Sequence, residues 1–344
     1  MSQIKVLVVD DSFFIRKRLV DMLNSDPEIH VVDTAENGLE AIEKIARLRP
    51  DVVTLDIEMP NMDGLTALVR IMKENPTPVI MVSTLTEIGS EATMNALLKG
   101  AVDFIHKPTS FGDAKLYNIK EEIVAKVKIA SRARLRFAQS VSPKTTGAGD
   151  AVIKAGKNSD KLVLIGSSTG GPRALLEVLP RLPKNFPAPI AIVQHMPPGP
   201  FIKSISRRLE ADSQISVGEA NHGDRLEPGR ALIAPGGYHM LIEKGHVVKL
   251  NQGPSVNSVR PSVDVMMSSA AAVYGSNIIG VILTGMGHDG AEGMTLIKKK
   301  GGRTIAEDQS TCIVYGMSRS VIEKGDADRV VPIDAVAAEI VKML

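Results

Sequence analysis

The chain is poor in the residues that staple, stack or span. Cys312 is its sole cysteine among 344 residues. No internal disulfide can form, and a lone thiol cannot build a thiolate zinc cage. A reducing, cytoplasmic setting is expected. Tryptophan is absent and aromatics make up 3%, which argues against base-stacking platforms for single-stranded nucleic acid. Neither sign of charge dominates, with 41 basic against 39 acidic side chains and a net charge of +2. A protein relying on phosphate neutralisation usually carries a larger basic excess, so nucleic-acid binding is not expected. No run approaches the ~18 apolar residues of a membrane span. The apolar start of the chain is short and stops at Asp10 and Asp11, unlike a signal peptide, so direct membrane insertion is not expected.

What is present is an ordinary globular composition, 44% apolar and 23% charged. At ~150 residues per domain the length predicts two domains or three. Short apolar runs at Lys5–Val9, Val52–Leu55, Val79–Ser83 and Val102–Ile105 read as buried strands. Helix-period segments lie between them, one carrying Ile15, Leu19, Met22 and Leu23, the next Leu39, Ile42 and Ile45. Such alternation predicts a parallel sheet covered on both faces. A first domain is placed at residues 1–125 and a tether at 126–160, where Arg132, Arg134 and Arg136 precede a stretch with almost nothing to bury. The arginines read as a solvated face. A second α/β domain is placed at 161–344, with strands expected at Leu162–Ile165, Ile190–Val193, Ala231–Ala234, Ile278–Leu283 and Arg303–Ala306. An antiparallel hairpin is expected within Leu241–Leu250, around Lys244-Gly245.

In the first domain, chemistry-bearing residues fall at strand ends. Asp10 and Asp11 follow the first strand and Asp56 ends another. Parallel strands deliver these ends to one sheet edge. Carboxylates gathered there repel one another unless a cation sits among them, and an all-oxygen ligand set suits Mg²⁺. Ser83 and Lys107 end further strands and supply a hydroxyl and an ammonium for an anionic group such as a phosphoryl. Taken singly, each acid also suits helix capping, as at Asp11-Ser12.

These elements, Val9-Asp10-Asp11-Ser12, Thr54-Leu55-Asp56-Ile57-Glu58-Met59-Pro60, Asp63-Gly64, Val82-Ser83 and Lys107-Pro108, resemble the response-regulator receiver domains over about 120 residues. The resemblance implies a flavodoxin-like fold in which Asp56 accepts a phosphoryl group from a histidine kinase. It implies Mg²⁺ held by Asp10, Asp11, Asp56 and the backbone carbonyl of Glu58, with Ser83 and Lys107 sensing the phosphoryl. Phe104 takes the position of a switch aromatic.

In the second domain, Gly166-Ser167-Ser168-Thr169-Gly170-Gly171-Pro172 leaves a strand and enters a helix. A serine held at such a turn lies against free N–H groups and a helix dipole, which suits a nucleophile beside an oxyanion and equally suits phosphate binding. A nucleophilic serine needs a base and an acid to orient it. This domain holds His195, His222, His239, His246 and His288. His222 and His246 read as solvated loop residues. Position favours His195, just after a strand, and His288, in a glycine loop, without deciding between them. Asp289 follows the strongest strand at the same edge. A competitor shares that loop: Gly285, Gly287 and Gly290 match Gly-x-Gly-x-x-Gly, with Glu307 and Asp308 where a ribose-binding acid belongs. That pattern points to a dinucleotide-dependent oxidoreductase. A DNA-binding output behind a receiver is a further alternative, although no helix-turn-helix pattern is visible.

Gly166-Ser167-Ser168-Thr169-Gly170-Gly171, Gln194-His195-Met196-Pro197, Arg260-Pro261-Ser262-Val263-Asp264 and Leu283-Thr284-Gly285-Met286-Gly287-His288-Asp289-Gly290, in this order behind a receiver and a tether, resemble the chemotaxis protein-glutamate methylesterases over essentially the whole chain. Ser167 stands where that family often has alanine and His288 where it often has asparagine. The resemblance implies a Rossmann-like catalytic domain that hydrolyses glutamate γ-methyl esters on the cytoplasmic helices of methylated chemoreceptors, releasing methanol. Ser168 would be the nucleophile, His195 the base and Asp289 its partner. The backbone N–H groups of Met286 and Thr169 would hold the oxyanion. No cofactor is implied for this half. Some family members also deamidate receptor glutamines. Arg260-Pro261-Ser262 reads either as helix-start capping or as a substrate contact, and Cys312 as a buried small residue.

Overall fold

The computed structural model describes residues 3–83, 87–107, 113–133 and 160–344, with side chains for all of these except 83, 87–90 and 113–119. The expected tether between 134 and 159 and Pro108 lie outside the described residues. The chain divides into two units, Met1–Phe137 and Ala138–Leu344.

The first unit runs β1 (Ile4–Val9), α1 (Phe13–Asn24), β2 (Ile29–Ala35), α2 (Gly38–Leu48), β3 (Val52–Asp56), α3 (Gly64–Glu74), β4 (Val79–Ser83), α4 (Glu87–Leu98), β5 (Asp103–His106) and α5 (Asp113–Ala130). Its five strands pair in parallel in the order β2-β1-β3-β4-β5. Val6–Val9 and Val52–Leu55 have no exposed surface, as helices on both faces require. Asn37 caps α2 by accepting the N–H groups of Leu39 and Glu40, and Asp63 caps α3 through Thr66. The chain leaves β1 toward β2 on one side and β3 on the other, so a crevice opens at the carboxyl ends of β1 and β3. Helix α5 continues to Ala130, past the boundary placed at 125, because Ile123, Val127 and Ala130 are all buried.

The second unit runs β6 (Leu162–Ser167), α6 (Gly171–Val178), a short 3₁₀ turn (Leu179–Arg181), β7 (Ile190–Gln194), α7 (Phe201–Asp212), β8 (Ser216–Glu219), β9 (Arg230–Ile233), β10 (His239–Glu243), β11 (Val247–Asn251), α8 (Val263–Tyr274), β12 (Ile278–Ile282), α9 (Ala291–Lys299), β13 (Arg303–Glu307), α10 (Met317–Glu323), β14 (Arg329–Val331) and α11 (Ile333–Met343). Seven strands form one parallel sheet in the order β14-β13-β12-β6-β7-β9-β8. The expected hairpin is β10-β11, a separate antiparallel sheet closed through Lys244-Gly245-His246. The edge strands β8 and β14 escape the sequence reading. Each is only three or four residues long, and each opens on an exposed polar residue, so neither presents a long buried apolar run.

The core joins the central strands to α8 and α9 through Leu162, Leu164, Val193, Met266, Met294 and Ile297. Burying one such side chain contributes about 1.5–3 kcal/mol. From β6 the chain builds the sheet outward through β7 and β9, then returns to lay β12 on the opposite side of β6. The switch point therefore lies between β6 and β12, and it is there that ligand crevices form. Among the described residues no helix is long and apolar enough to cross a membrane.

Candidate functional site

At the β1/β3 crevice, Asp10 and Asp56 are buried and Asp11 is exposed. One carboxylate oxygen from each of the three lies within 4.8 Å of the others. Lys107 reaches the two buried oxygens that no other hydrogen-bond donor meets among the described residues, Asp10 Oδ2 at 2.9 Å and Asp56 Oδ2 at 2.6 Å. Burial pushes the Asp56 carboxyl up to about 6 against the pull of Lys107, and the charge of Asp10 adds to the rise. Burial pulls on the Lys107 ammonium in the opposite sense, but Asp56 and Asp10 outweigh it and raise its pKa. Three carboxylates facing one ammonium leave this pocket short of positive charge. Its all-oxygen donor set fits a hard divalent cation. Glu58 follows in the adjoining loop, its N–H 3.4 Å from Asp56 Oδ1. Ser83 closes β4, but its side chain lies outside the described set. Phe104 is buried in β5 with the Lys126 ammonium 5.1 Å from its ring centre.

At the β6/β12 crevice, sheet hydrogen bonding continues past the strand ends and carries the candidate residues with it. The Ser168 N–H donates to the Thr284 carbonyl at 3.1 Å on one side, and the His195 N–H donates to the Ser167 carbonyl at 2.9 Å on the other. Ser168 is thus moored toward β12 by its own backbone, and His195 is moored to the residue before it. Gln194 locks the junction: its Nε2 donates to the carbonyls of Ser168 at 2.9 Å and His195 at 3.0 Å, while its Oε1 accepts the buried Ser167 hydroxyl at 2.6 Å. A Cβ on Gly171 would stand 1.9 Å from that Oε1, so only glycine lets the turn close here. Nothing in the Gln194-His195-Met196-Pro197 motif itself points to this role of Gln194.

His195 and Asp289 meet across the crevice, Nε2 to Oδ2 at 2.8 Å. Both side chains are buried or nearly so. Burial pushes the Asp289 carboxyl up, but His195, Asn257 and Ser262 outweigh it and hold the group well below the usual carboxylate range. With Nε2 engaged by the acid, Nδ1 is the ring nitrogen left to serve a reacting group. The backbone of Gly285 passes close over the serine, since a Cβ there would lie 2.8 Å from Ser168 Cβ. Met286 comes next in that loop and is exposed. Thr169 is buried, and its carbonyl accepts the Thr284 hydroxyl at 3.0 Å. A hydroxyl, an imidazole paired to an ionised acid, and a close-passing glycine loop form an arrangement suited to nucleophilic attack on a carbonyl.

The remaining histidines stand apart from this pair. His288 is exposed. His222 is exposed near Leu250. His246, expected to be solvated, is half-buried and stacks on Tyr274 with ring centres 4.9 Å apart. His239 is buried, with Nε2 2.9 Å from the Pro254 carbonyl. Arg260 spends Nη1 on the carbonyls of Gln252 at 3.0 Å and Gly253 at 2.7 Å, and Ser262 caps α8, which favours the capping alternative for that motif.

One of the two acids that a bound ribose could use is already committed. Glu307 is buried, and its carboxylate accepts the Thr284 N–H at 2.7 Å, while Asp308 accepts the Ser310 N–H at 2.8 Å, so Glu307 is turned inward and not toward a ligand in the Gly-x-Gly-x-x-Gly loop. Cys312 is buried beside it, and burial together with the Glu307 charge pushes its thiol far above its ordinary range.

The profile of the CheB methylesterase family matches residues 163–340, and that of the response regulator receiver domain matches residues 6–117. A protein-glutamate methylesterase/protein-glutamine glutaminase of Symbiobacterium thermophilum is 50% identical, covering 98% of this chain and 96% of its own. One of the same name from Pyrococcus horikoshii is 48% identical over 99% and 93%. The crystal structure of the Thermotoga maritima CheB methylesterase catalytic domain superposes with a TM-score of 0.52 at 49% identity, covering 54% of this chain and 98% of that one.

Proposed function

The chain belongs to the CheB methylesterase family, with a receiver domain ahead of the catalytic domain, and we propose that it hydrolyses glutamate γ-methyl esters on chemoreceptors under control of its own phosphorylation. The observation that carries this reading is the 2.8 Å contact between His195 and the ionised Asp289 at the sheet edge that also holds Ser168. Ser168 Oγ attacks the ester carbonyl, and its proton passes to Nδ1 of His195. The new C–O bond pushes the carbonyl electrons onto oxygen. The N–H groups of Met286 and Thr169 stabilise that charge, and one such donor lowers the barrier by roughly 3–4 kcal/mol. Collapse expels methoxide, which takes the proton from His195 and leaves as methanol. Water, deprotonated by the same imidazole, then releases glutamate. Asp289 stabilises the imidazolium throughout. The same acyl-enzyme would form from a glutamine with ammonia departing, in keeping with the double name of the relatives.

In the receiver, Asp10, Asp11 and Asp56 with the carbonyl of Glu58 would hold Mg²⁺, which supplies charge neutralisation for phosphoryl transfer. Asp56 takes the phosphoryl group from the phosphohistidine of a kinase, its oxygen forming the new P–O bond as the P–N bond breaks. Ser83 and Lys107 sense the added group. Such a phosphorylation biases a two-state protein toward its active state. The substrates are the cytoplasmic helices of receptors, so a cytoplasmic location follows from the reading.

The test is methanol release from a methylated receptor fragment by the full chain, with and without a phosphodonor. Wild type should release methanol, faster with the phosphodonor, and Ser168→Ala should release none. Turnover that survives Ser168→Ala would sink the mechanism.

A further inference from the structure

The carboxylate of Asp289 is gripped by more donors than a His–Asp pair requires. Its Oδ2, besides facing His195, accepts the Val263 N–H at 2.6 Å. Its Oδ1 accepts the Ser262 hydroxyl at 2.7 Å, Asn257 Nδ2 at 2.9 Å and the Asp264 N–H at 3.3 Å. Val263 and Asp264 open α8, so the acid of the β12–α9 loop sits on the N-terminus of a helix from elsewhere in the sequence. Ser262, the cap of that helix, is fully buried. Its own N–H donates to His239 Nδ1 at 3.2 Å, and His239 is tied through Nε2 to Pro254. Asn257 does double duty. Its amide donates to Asp289 and, also at 2.9 Å, to Oδ2 of Asp264, whose Oδ1 accepts the Gly293 N–H at 2.7 Å. One amide group therefore separates two buried carboxylates.

We propose that Asn257 and Ser262 are positioning residues of the esterase site, fixing the Asp289 carboxylate with one oxygen on His195 Nε2 and keeping it ionised where water is scarce. The inference rests on the esterase reading and deepens it. Burial alone pushes both Asp264 and Asp289 toward the protonated form, and Asp289 raises Asp264 further. The charged groups facing Asp289 are His195, from beyond β7, and Asp264, from α8; His239 of β10 reaches it only through Ser262. Take away the Asn257 amide and the two carboxylates lose the one side-chain donor they share. Whichever takes a proton, Asp289 either loses its charge or swings from its aim, and the imidazolium of the transition state is left unsupported.

The experiment compares the full wild-type chain with Asn257→Gly, Ser262→Ala and Ser262→Thr, following kcat and KM for methanol release from methylated receptor fragment. Glycine is the replacement at 257 because that residue has φ 53°, a left-handed conformation alanine would resist. Asn257 lies on the surface, so its variant should fold. Asn257→Gly and Ser262→Ala should lose about 10–100-fold in kcat with KM within about twofold. Ser262→Thr, which keeps the hydroxyl, should recover most of the rate. Activity lost only in step with folded protein measured by thermal melting, with no recovery in Ser262→Thr, overturns the proposal and leaves a structural role. An unchanged kcat in Asn257→Gly overturns it as well. A wild type that releases no methanol takes down the esterase reading and this inference together, an outcome distinct from active wild type with indifferent variants.

Discussion

Nε2 of His195 lies 2.8 Å from Oδ2 of Asp289, although 94 positions separate the two residues in sequence. The contact is made by topology. β7 and β12 flank β6 in one parallel sheet, so the residues beyond their carboxyl ends share an edge. Because every other polar contact of Asp289 comes from a donor, an amide in its place would turn one acceptor into a donor facing donors. Asp289→Asn should therefore lower kcat by about 10⁴, the scale on which mispairing of an imidazole acts in such sites, while leaving substrate affinity nearly unchanged. Steady-state methanol release decides it; a loss below tenfold would mean that the acid does not set the state of His195.

The choice between histidines is tested by paired alanine variants. His288 is exposed and neighbours Asp289 only along the chain, whereas His195 is the imidazole that touches it. His195→Ala should cost at least about 10³ in kcat. His288→Ala should stay within a few-fold of wild type. The opposite pattern in the same assay would move the base to the glycine loop.

Much of this edge is legible in sequence because apolar runs announce buried parallel strands and chemistry begins where they stop. Ser168, His195 and Asp56 all stand at such points. The hairpin β10-β11 is legible for a similar reason, since Lys244-Gly245 breaks two alternating runs. What stays hidden is contact between elements with no periodic relation. Nothing in the order of residues says that α8 presents its N-terminus to Asp289, or that Asn257, in a left-handed turn, reaches two acids at once. Gln194 is hidden within its own strand, since the pattern that predicts β7 treats it as the polar residue closing an apolar run. The glycine loop misleads in the other direction. Its spacing suits a dinucleotide, and only the burial of Glu307 beneath Thr284 shows the acid to be engaged internally.

Gly285 reports on how closely that loop must pass the serine. A methyl group there would meet Ser168 Cβ at 2.8 Å and Met317 Sδ at 2.3 Å. The methionine end can swing aside at modest cost, but the serine lies on a backbone tied to Thr284. Gly285→Ala should thus shift Met286 relative to Ser168 and lower kcat by about 100-fold, with a stability loss of only about 1–3 kcal/mol. Equal activity in the alanine variant would show that Met286 does not need this approach.

Cation binding at the receiver edge follows from its excess of buried negative charge. Mg²⁺ at about a hundred times its Kd should stabilise that unit by about 2.7 kcal/mol, because the unfolded chain lacks the gathered carboxylates. Calorimetry of the full chain should show one transition moving upward with Mg²⁺. Asp11→Ala, which removes the exposed member of the cluster, should reduce that shift. A transition that Mg²⁺ moves equally in both proteins would place the ion elsewhere.

Glu307 should make the catalytic unit less stable as pH rises toward neutrality. Burial pushes its carboxyl from 4.5 up to about 7, against the Thr284 N–H, which favours the charged form. Between those two values the folded chain holds more protons than the unfolded chain, so unfolding free energy falls with increasing pH. The contribution is fully present below about pH 4.5 and is lost by about pH 7, roughly 3 kcal/mol in all. Glu307→Gln keeps an oxygen for the Thr284 N–H and has no proton to lose. Urea unfolding of wild type and variant across this range isolates the residue, since every other titrating group is common to both. The difference in stability should grow in favour of glutamine as pH rises from about 5 to about 7. A difference independent of pH would mean that Glu307 is already ionised in the fold, and that its carboxylate is held by Thr284 more strongly than burial opposes it.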